Sequence, residues 1–279
     1  MEPQSVGWRD RKGFLVTEIL SAVVLFGILL AASAGGVIVR PYLSERHLNR
    51  EVIELLQIFV SMLVTFAAIV LGLLTTSAKT AFDAVSTDVN NFSSSLVEFD
   101  RTLAEYGPET AAIRTALAGY AEAVIAQTWR SSDLPAALRG GPPTSTGEGL
   151  DKPNVGDALE NIKLSVLELQ PDTPMQHELR DIAIQQGRHV IQLRWQLWSE
   201  SQTSISIEFY SVMVFWLMIV FFSIGLSMPR NALAFTGMLL CALSIASAMF
   251  AILDMDTPFG GFLSVSYGPL VDAVATITR

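Results

Sequence analysis

The sequence predicts an all-α integral membrane protein with four transmembrane helices in two hairpins and a cytosolic helical bundle inserted between the second and third. Three observations predict this class. Of the 279 residues, 51% are hydrophobic and 16% charged, against about 25% charged in an ordinary soluble domain. The mean hydropathy is +0.43. The apolar residues gather in four uncharged runs, each as long as the roughly 20 residues a bilayer requires. Between the second and third runs lies a charged stretch with helical spacing and no strand alternation.

The four spans are expected at about 19–39, 55–78, 209–228 and 231–253. Each stops at a charge or a proline: Arg40, Lys79, Pro229 and Asp254. Only a helix satisfies the backbone of a single segment in lipid. The first run has a rival reading as a cleaved signal peptide, because Arg9, Arg11 and Lys12 precede it and Ala32-Ser33-Ala34 resembles a cleavage site. Against that reading, the apolar run continues to Val39. The third and fourth spans are joined only by Pro229, Arg230 and Asn231, which forces an antiparallel hairpin. Arg230 and Asn231 are placed to cap the third span or to anchor to headgroups.

Domain boundaries follow: an N-terminal membrane hairpin over 1–79, a helical domain over 80–205, and a C-terminal hairpin with an amphipathic tail over 206–279. In the middle domain, Leu96, Phe99, Leu103 and Tyr106 mark one helix, which Gly107-Pro108 stops. Ile113, Leu117, Tyr120, Val124 and Thr128 mark a second, and Leu159, Ile162, Val166 and Leu169 a third. A fourth starts at Pro174 and reaches about Trp198. Residues 134–156, rich in Pro, Gly, Ser and Thr, read as a flexible loop. The tail, broken by Gly268-Pro269, suits either the membrane surface or the helical domain.

Charge and cysteine content exclude several functions. The formal charge is −9 without a basic tract, which opposes nucleic-acid binding. The single cysteine, Cys241, excludes an intrachain disulfide and a Cys-based metal site, and it reads as an inert core thiol. The three histidines lack metal-ligand spacing. No Walker loop, GxSxG, HExxH or dinucleotide fingerprint occurs. The expectation is a protein without enzymatic activity, metal or cofactor. Lys and Arg near the spans number seven on the side of both termini and four on the other. The positive-inside rule then puts both termini and the helical domain in the cytoplasm, with the chain multi-pass in the cell (inner) membrane.

The second span carries a patterned face. Glu54, Gln57, Ser61, Thr65, Ala68, Gly72, Thr76 and Lys79 step by three or four residues and share one side of a helix. Such a stripe serves close helix packing or lines a water-filled path; an oligomer can use it for both. Phe59, Phe66 and Leu73 lie seven apart on another face and offer an alternative pore neck. Ionisable groups near membrane depth are costly, so Glu18, Glu51, Glu54 and Glu208 are candidates for an ion path, as against headgroup-level residues in water. Asp254 and Asp256 supply too few oxygens for Ca²⁺ and read as a helix exit. Gly237, Cys241, Ser244, Ala248 and Ala251 read as a small-residue packing stripe.

Several segments resemble the bestrophin-like domain family, which is largely bacterial. They are Ser77 to Asp83, Asp100 to Glu109, Phe215-Trp216-Leu217, Gly225-Leu226, Pro229-Arg230-Asn231, and Asp256-Thr257-Pro258-Phe259-Gly260-Gly261. Pro229, Arg230, Asn231, Asp256, Pro258, Phe259 and Gly261 carry the more specific signatures. Thr257 stands where the family usually has Arg. The resemblance implies a bestrophin-like architecture: a homo-oligomer, pentameric in bestrophins, with four membrane helices per subunit and the second lining a central pore. The expected function is passive conduction of small ions, with ion sign open. The expected partners are the lipid bilayer, further copies of the chain and small ions. The alternative is a non-conducting membrane scaffold or sensor whose helical domain recruits a partner.

Overall fold

The computed structural model describes residues 11–42, 50–129, 153–201, 207–229 and 231–279. Among them the secondary structure is helical: α1 (Arg11–Val39), α2 (Arg50–Tyr106), α3 (Ala111–Thr128), α4 (Pro153–Leu167), α5 (Pro174–Ser201), α6 (Ile207–Ser227), α7 (Ala232–Met255) and α8 (Gly268–Ile277). Four of these segments are long and apolar enough to cross a membrane: Ile19–Tyr42, Glu54–Tyr106, Phe209–Ser227 and Ala232–Met255. The second far exceeds bilayer thickness; its stretch 55–78 is the part that stays uncharged over a bilayer's length.

The chain divides into two compact units. One comprises the described residues within 11–80 and 207–257, the other those within 81–201 and 258–279. In the first unit, α1 packs along α6 and α7. The α1–α6 contact is backbone on backbone. A Cβ on Gly36 would fall 2.2 Å from the Phe222 carbonyl oxygen, and one on Gly225 would fall 2.1 Å from the Ser33 oxygen. Only glycine fits there, because any Cβ would overlap the facing backbone; small residues that permit such close approach are the usual packing device of helices in lipid. Leu25 and Leu29 join Met213, Leu217 and Phe221 of α6, and Met238, Ala242, Met249 and Ile252 of α7. From α2, Ala67, Leu74 and Ala78 enter this cluster. Ser33 donates to the Met238 sulfur.

The ends of these helices are closed differently from expectation. Asn231 does not cap the third span. Its Oδ1 accepts from the Ala234 amide at 2.7 Å and so N-caps α7. The Met228 carbonyl at the end of α6 accepts instead from Arg40. Arg230 lies outside the described residues. The small-residue stripe of α7 is also not its packing face. Gly237, Cys241 and Ser244 are exposed within the chain and Ala248 and Ala251 half-buried, while Met238, Ala242, Ala246, Met249 and Ile252 point inward. Cys241 is therefore a surface thiol within the chain.

In the helical unit, Val85, Val89, Phe92, Leu96, Phe99 and Leu103 form one buried edge of α2. They repeat at three and four residues, the spacing of a single helical stripe. The helix marked by Leu96 to Tyr106 is thus the end of α2 rather than a separate element. It stops at Gly107, whose φ of 138° suits glycine alone, and Pro108 opens a short 3-10 turn. The loop expected at 134–156 is shorter at its end, since α4 begins at Pro153; its remainder, 134–152, lies outside the described residues. The tail belongs here and not with α6 and α7. Val265, Leu270, Val274 and Ile277 are buried in this core. Buried Trp129 donates to the Val265 carbonyl at 2.7 Å and packs edge-on against Phe259. Apolar burial accounts for the docking: α8 hides its aliphatic stripe against protein.

Candidate functional site

The candidate site is the uncovered side of α2 between Glu54 and Lys79. The three residues that α2 buries here, Ala67, Leu74 and Ala78, lie on one side, at positions separated by seven and four. The polar stripe points away from them. Glu54, Gln57, Ser61, Thr65, Ala68, Gly72, Thr76 and Lys79 are all exposed within the chain. At about 100° per residue, this stripe is centred some 120° around the helix from the buried edge. Phe59, Phe66 and Leu73 are 60%, 56% and 65% exposed, and they lie on the other flank. Both candidate faces are therefore open among the described residues of this unit.

The two faces meet in an open hollow of about 610 Å³ bounded by Glu54, Gln57, Ile58, Ser61, Met62, Thr65 and Phe66. All seven belong to α2, so the hollow is a groove along one helix rather than a closed chamber. It brings the upper stripe together with Phe66; Ala68, Gly72, Thr76 and Lys79 continue the stripe beyond it.

The hydroxyls of the stripe are bonded back to their own helix. Ser61 donates to the Gln57 carbonyl at 2.8 Å, Thr65 to Ser61 at 2.9 Å, and Thr76 to Gly72 at 2.9 Å. Each O–H is thereby satisfied without a neighbour, and the oxygen keeps both lone pairs as acceptors on an exposed side chain. Such a surface tolerates lipid-like surroundings, yet it offers acceptors to a solvated ion. Glu54 and Lys79 set charges of opposite sign at the two ends.

The signature residues have structural positions. Asn231 caps α7, and Pro229 accepts from the Asn231 amide at 2.9 Å. Asp256 forms the C-cap of α7. Pro258 accepts from the Val265 amide at 2.8 Å, Phe259 contacts Trp129, and Gly261 is buried. The side chains of Glu18, Glu51 and Glu208 fall outside the described set. Among the described residues, no group of three or more His, Cys, Asp or Glu could hold a metal ion.

Pairings between distant segments were not readable from sequence. Arg114 donates twice to Asp100, at 2.7 and 3.0 Å, and once to the Ile277 carbonyl at 3.2 Å. This fork ties α3 to both α2 and α8, and the Asp100 hydrogen bonds raise the Arg114 pKa. Asp88 and Glu200, from α2 and α5, share the Gln196 amide. No local signal joins residues so far apart.

Apolar helices of bilayer length and a helical core define a helical membrane protein. Its family is shown by the bestrophin-like domain, whose family model matches residues 27–270: the chain belongs to the bestrophin-like family. Two solved structures share the fold. One is a variant of a bacterial bestrophin homologue from Klebsiella pneumoniae, with 13% identity, a TM-score of 0.56, and coverage of 94% of this chain and 96% of that one. The other is a variant described as a membrane protein, with 13% identity, a TM-score of 0.55, and coverage of 93% and 96%. No curated protein matches the chain.

Proposed function

We propose that the protein is a homo-oligomeric channel that conducts small ions passively along a central axis lined by α2. In this reading the spans form two hairpins in the cell (inner) membrane, with both termini and the helical unit in the cytoplasm. A pentamer follows from the bestrophin-like architecture. The supporting observation is the uncovered side of α2: its polar stripe and its Phe59–Phe66–Leu73 flank are left open by every other helix described in the chain. Copies arranged about an axis would cover one flank with a neighbouring subunit and turn the other to the wet axis. Passive flow is favoured over pumping and over enzymatic work because no energy-coupling or catalytic motif occurs. The attraction of Glu54 and the −9 net charge favours cations.

Ion flux from proteoliposomes across a panel of salts tests the reading. Thr65→Trp should block flux while leaving assembly intact. Normal assembly with unchanged flux removes the stripe from the path. Absence of flux from the wild-type protein in every salt favours the scaffold function.

A further inference from the structure

Asp88 lies on α2 ten residues past Ala78, the end of the uncharged run, and is 6% exposed. Glu200 lies one residue from the end of α5. Between them sits Gln196, whose Nε2 donates to Asp88 Oδ1 and to Glu200 Oε1, each at 3.3 Å. An amide nitrogen carries two hydrogens, so this geometry uses one on each carboxyl. The second oxygens, Asp88 Oδ2 and Glu200 Oε2, are buried and have no hydrogen-bond partner among the described residues. Two carboxylates so placed repel, and two buried acceptors lack a donor. One proton removes both costs, because a carboxylic acid donates to a carboxylate across the gap.

We infer that Asp88 and Glu200 together bind a single proton, and that this proton clamps α2 to α5 in the helical unit. Among the described residues, no cation acts on the Asp88 carboxyl. One turn away on α2 stand Ala84, Val85, Asn91 and Phe92, none of them titratable. From α5, the groups acting on the Asp88 carboxyl are Glu200 and Gln196. The nearest cation along α5, Arg194, packs its guanidinium against Gly156 of α4 and acts on Tyr120. Burial first, then the hydrogen bond and charge of Glu200, push the Asp88 pKa from 3.8 up to about 6, against a smaller lowering by Gln196. The folded unit therefore holds a proton that the unfolded chain has released. Stability from this pair is full below the unfolded value and is lost as pH rises through about 6.

The test uses the full chain in nanodiscs, with thermal unfolding and amide hydrogen exchange followed from about pH 5 to about pH 7.5. The wild type should lose thermal stability over this range, with a midpoint near 6. Opening of the segment 85–92, corrected for the intrinsic exchange rate, should be about ten-fold more favourable at the upper pH. Asp88→Asn removes the titrating group and should be flat over the range, and Glu200→Gln, which offers Asp88 an amide donor in place of the shared proton, should show a shallower slope than the wild type. A wild type insensitive to pH overturns the proposal. So does a variant that keeps the wild-type slope. If one variant fails to fold, the other decides.

Discussion

Gly225→Ala probes the contact that holds α1 to α6. The added methyl would sit 2.1 Å from the Ser33 carbonyl oxygen, where ordinary contact begins near 3.4 Å. The helices must part by more than about 1 Å, and a gap of that size forfeits about half of each dispersion contact along the seam. In lipid, packing of this kind is the main force between helices, so the loss is not recovered by burying apolar area. Overpacking typically costs about 1–3 kcal/mol. Replacing Gly by Ala also gains up to about 1 kcal/mol of helix propensity. Gly27→Ala on α1 is the control, because a Cβ there meets nothing within 4 Å; it carries the same propensity gain without the clash. Thermal unfolding in nanodiscs should therefore show Gly225→Ala below Gly27→Ala by roughly 3–8 °C. Equal stability of the two would refute the backbone-contact reasoning.

Three further perturbations address other levels. Glu54→Gln, by removing the negative end of the stripe, should lower the cation-to-anion permeability ratio measured by reversal potential in planar bilayers; an unchanged potential takes Glu54 off the path. Arg114→Ala strands Asp100, which is nearly buried, and frees the Ile277 carbonyl. It should cost about 2–4 kcal/mol and expose residues 268–277 to hydrogen exchange, whereas protection equal to wild type would mean the fork is dispensable. Tyr120→Phe removes a buried hydroxyl that lacks a hydrogen-bond partner, so it should be neutral or stabilising by up to about 1 kcal/mol; a clear loss of stability in chemical denaturation would show that the hydroxyl is satisfied.

Local features of the sequence announce most of the elements. The helix stop at Gly107-Pro108 was legible because only glycine adopts its positive φ freely and proline opens the next turn. The polar stripe was legible because residues three and four apart share a helical face whatever surrounds them. Other readings failed where the outcome depended on a partner segment. Gly237, Cys241 and Ser244 have the composition of a packing stripe, yet within the chain α7 is buried through Met238, Ala242, Ala246, Met249 and Ile252, of which all but Ala246 share a cluster with residues of α1 and α6. Asn231 sits beside both helix ends, and the Arg40 donation to Met228 leaves it to α7.

The sequence by itself determined the helical class, the four apolar segments and the family signatures, since hydrophobic length and periodicity act through neighbours along the chain. Tertiary structure decided which helices touch: that α1 lies on α6 with glycine against backbone, that the tail closes on Trp129 and Arg114, and that Asp88 meets Glu200 across 112 positions. These depend on shape and charge brought together from remote segments, where a carboxylate or a missing methyl acquires its energy only from the atoms opposite it.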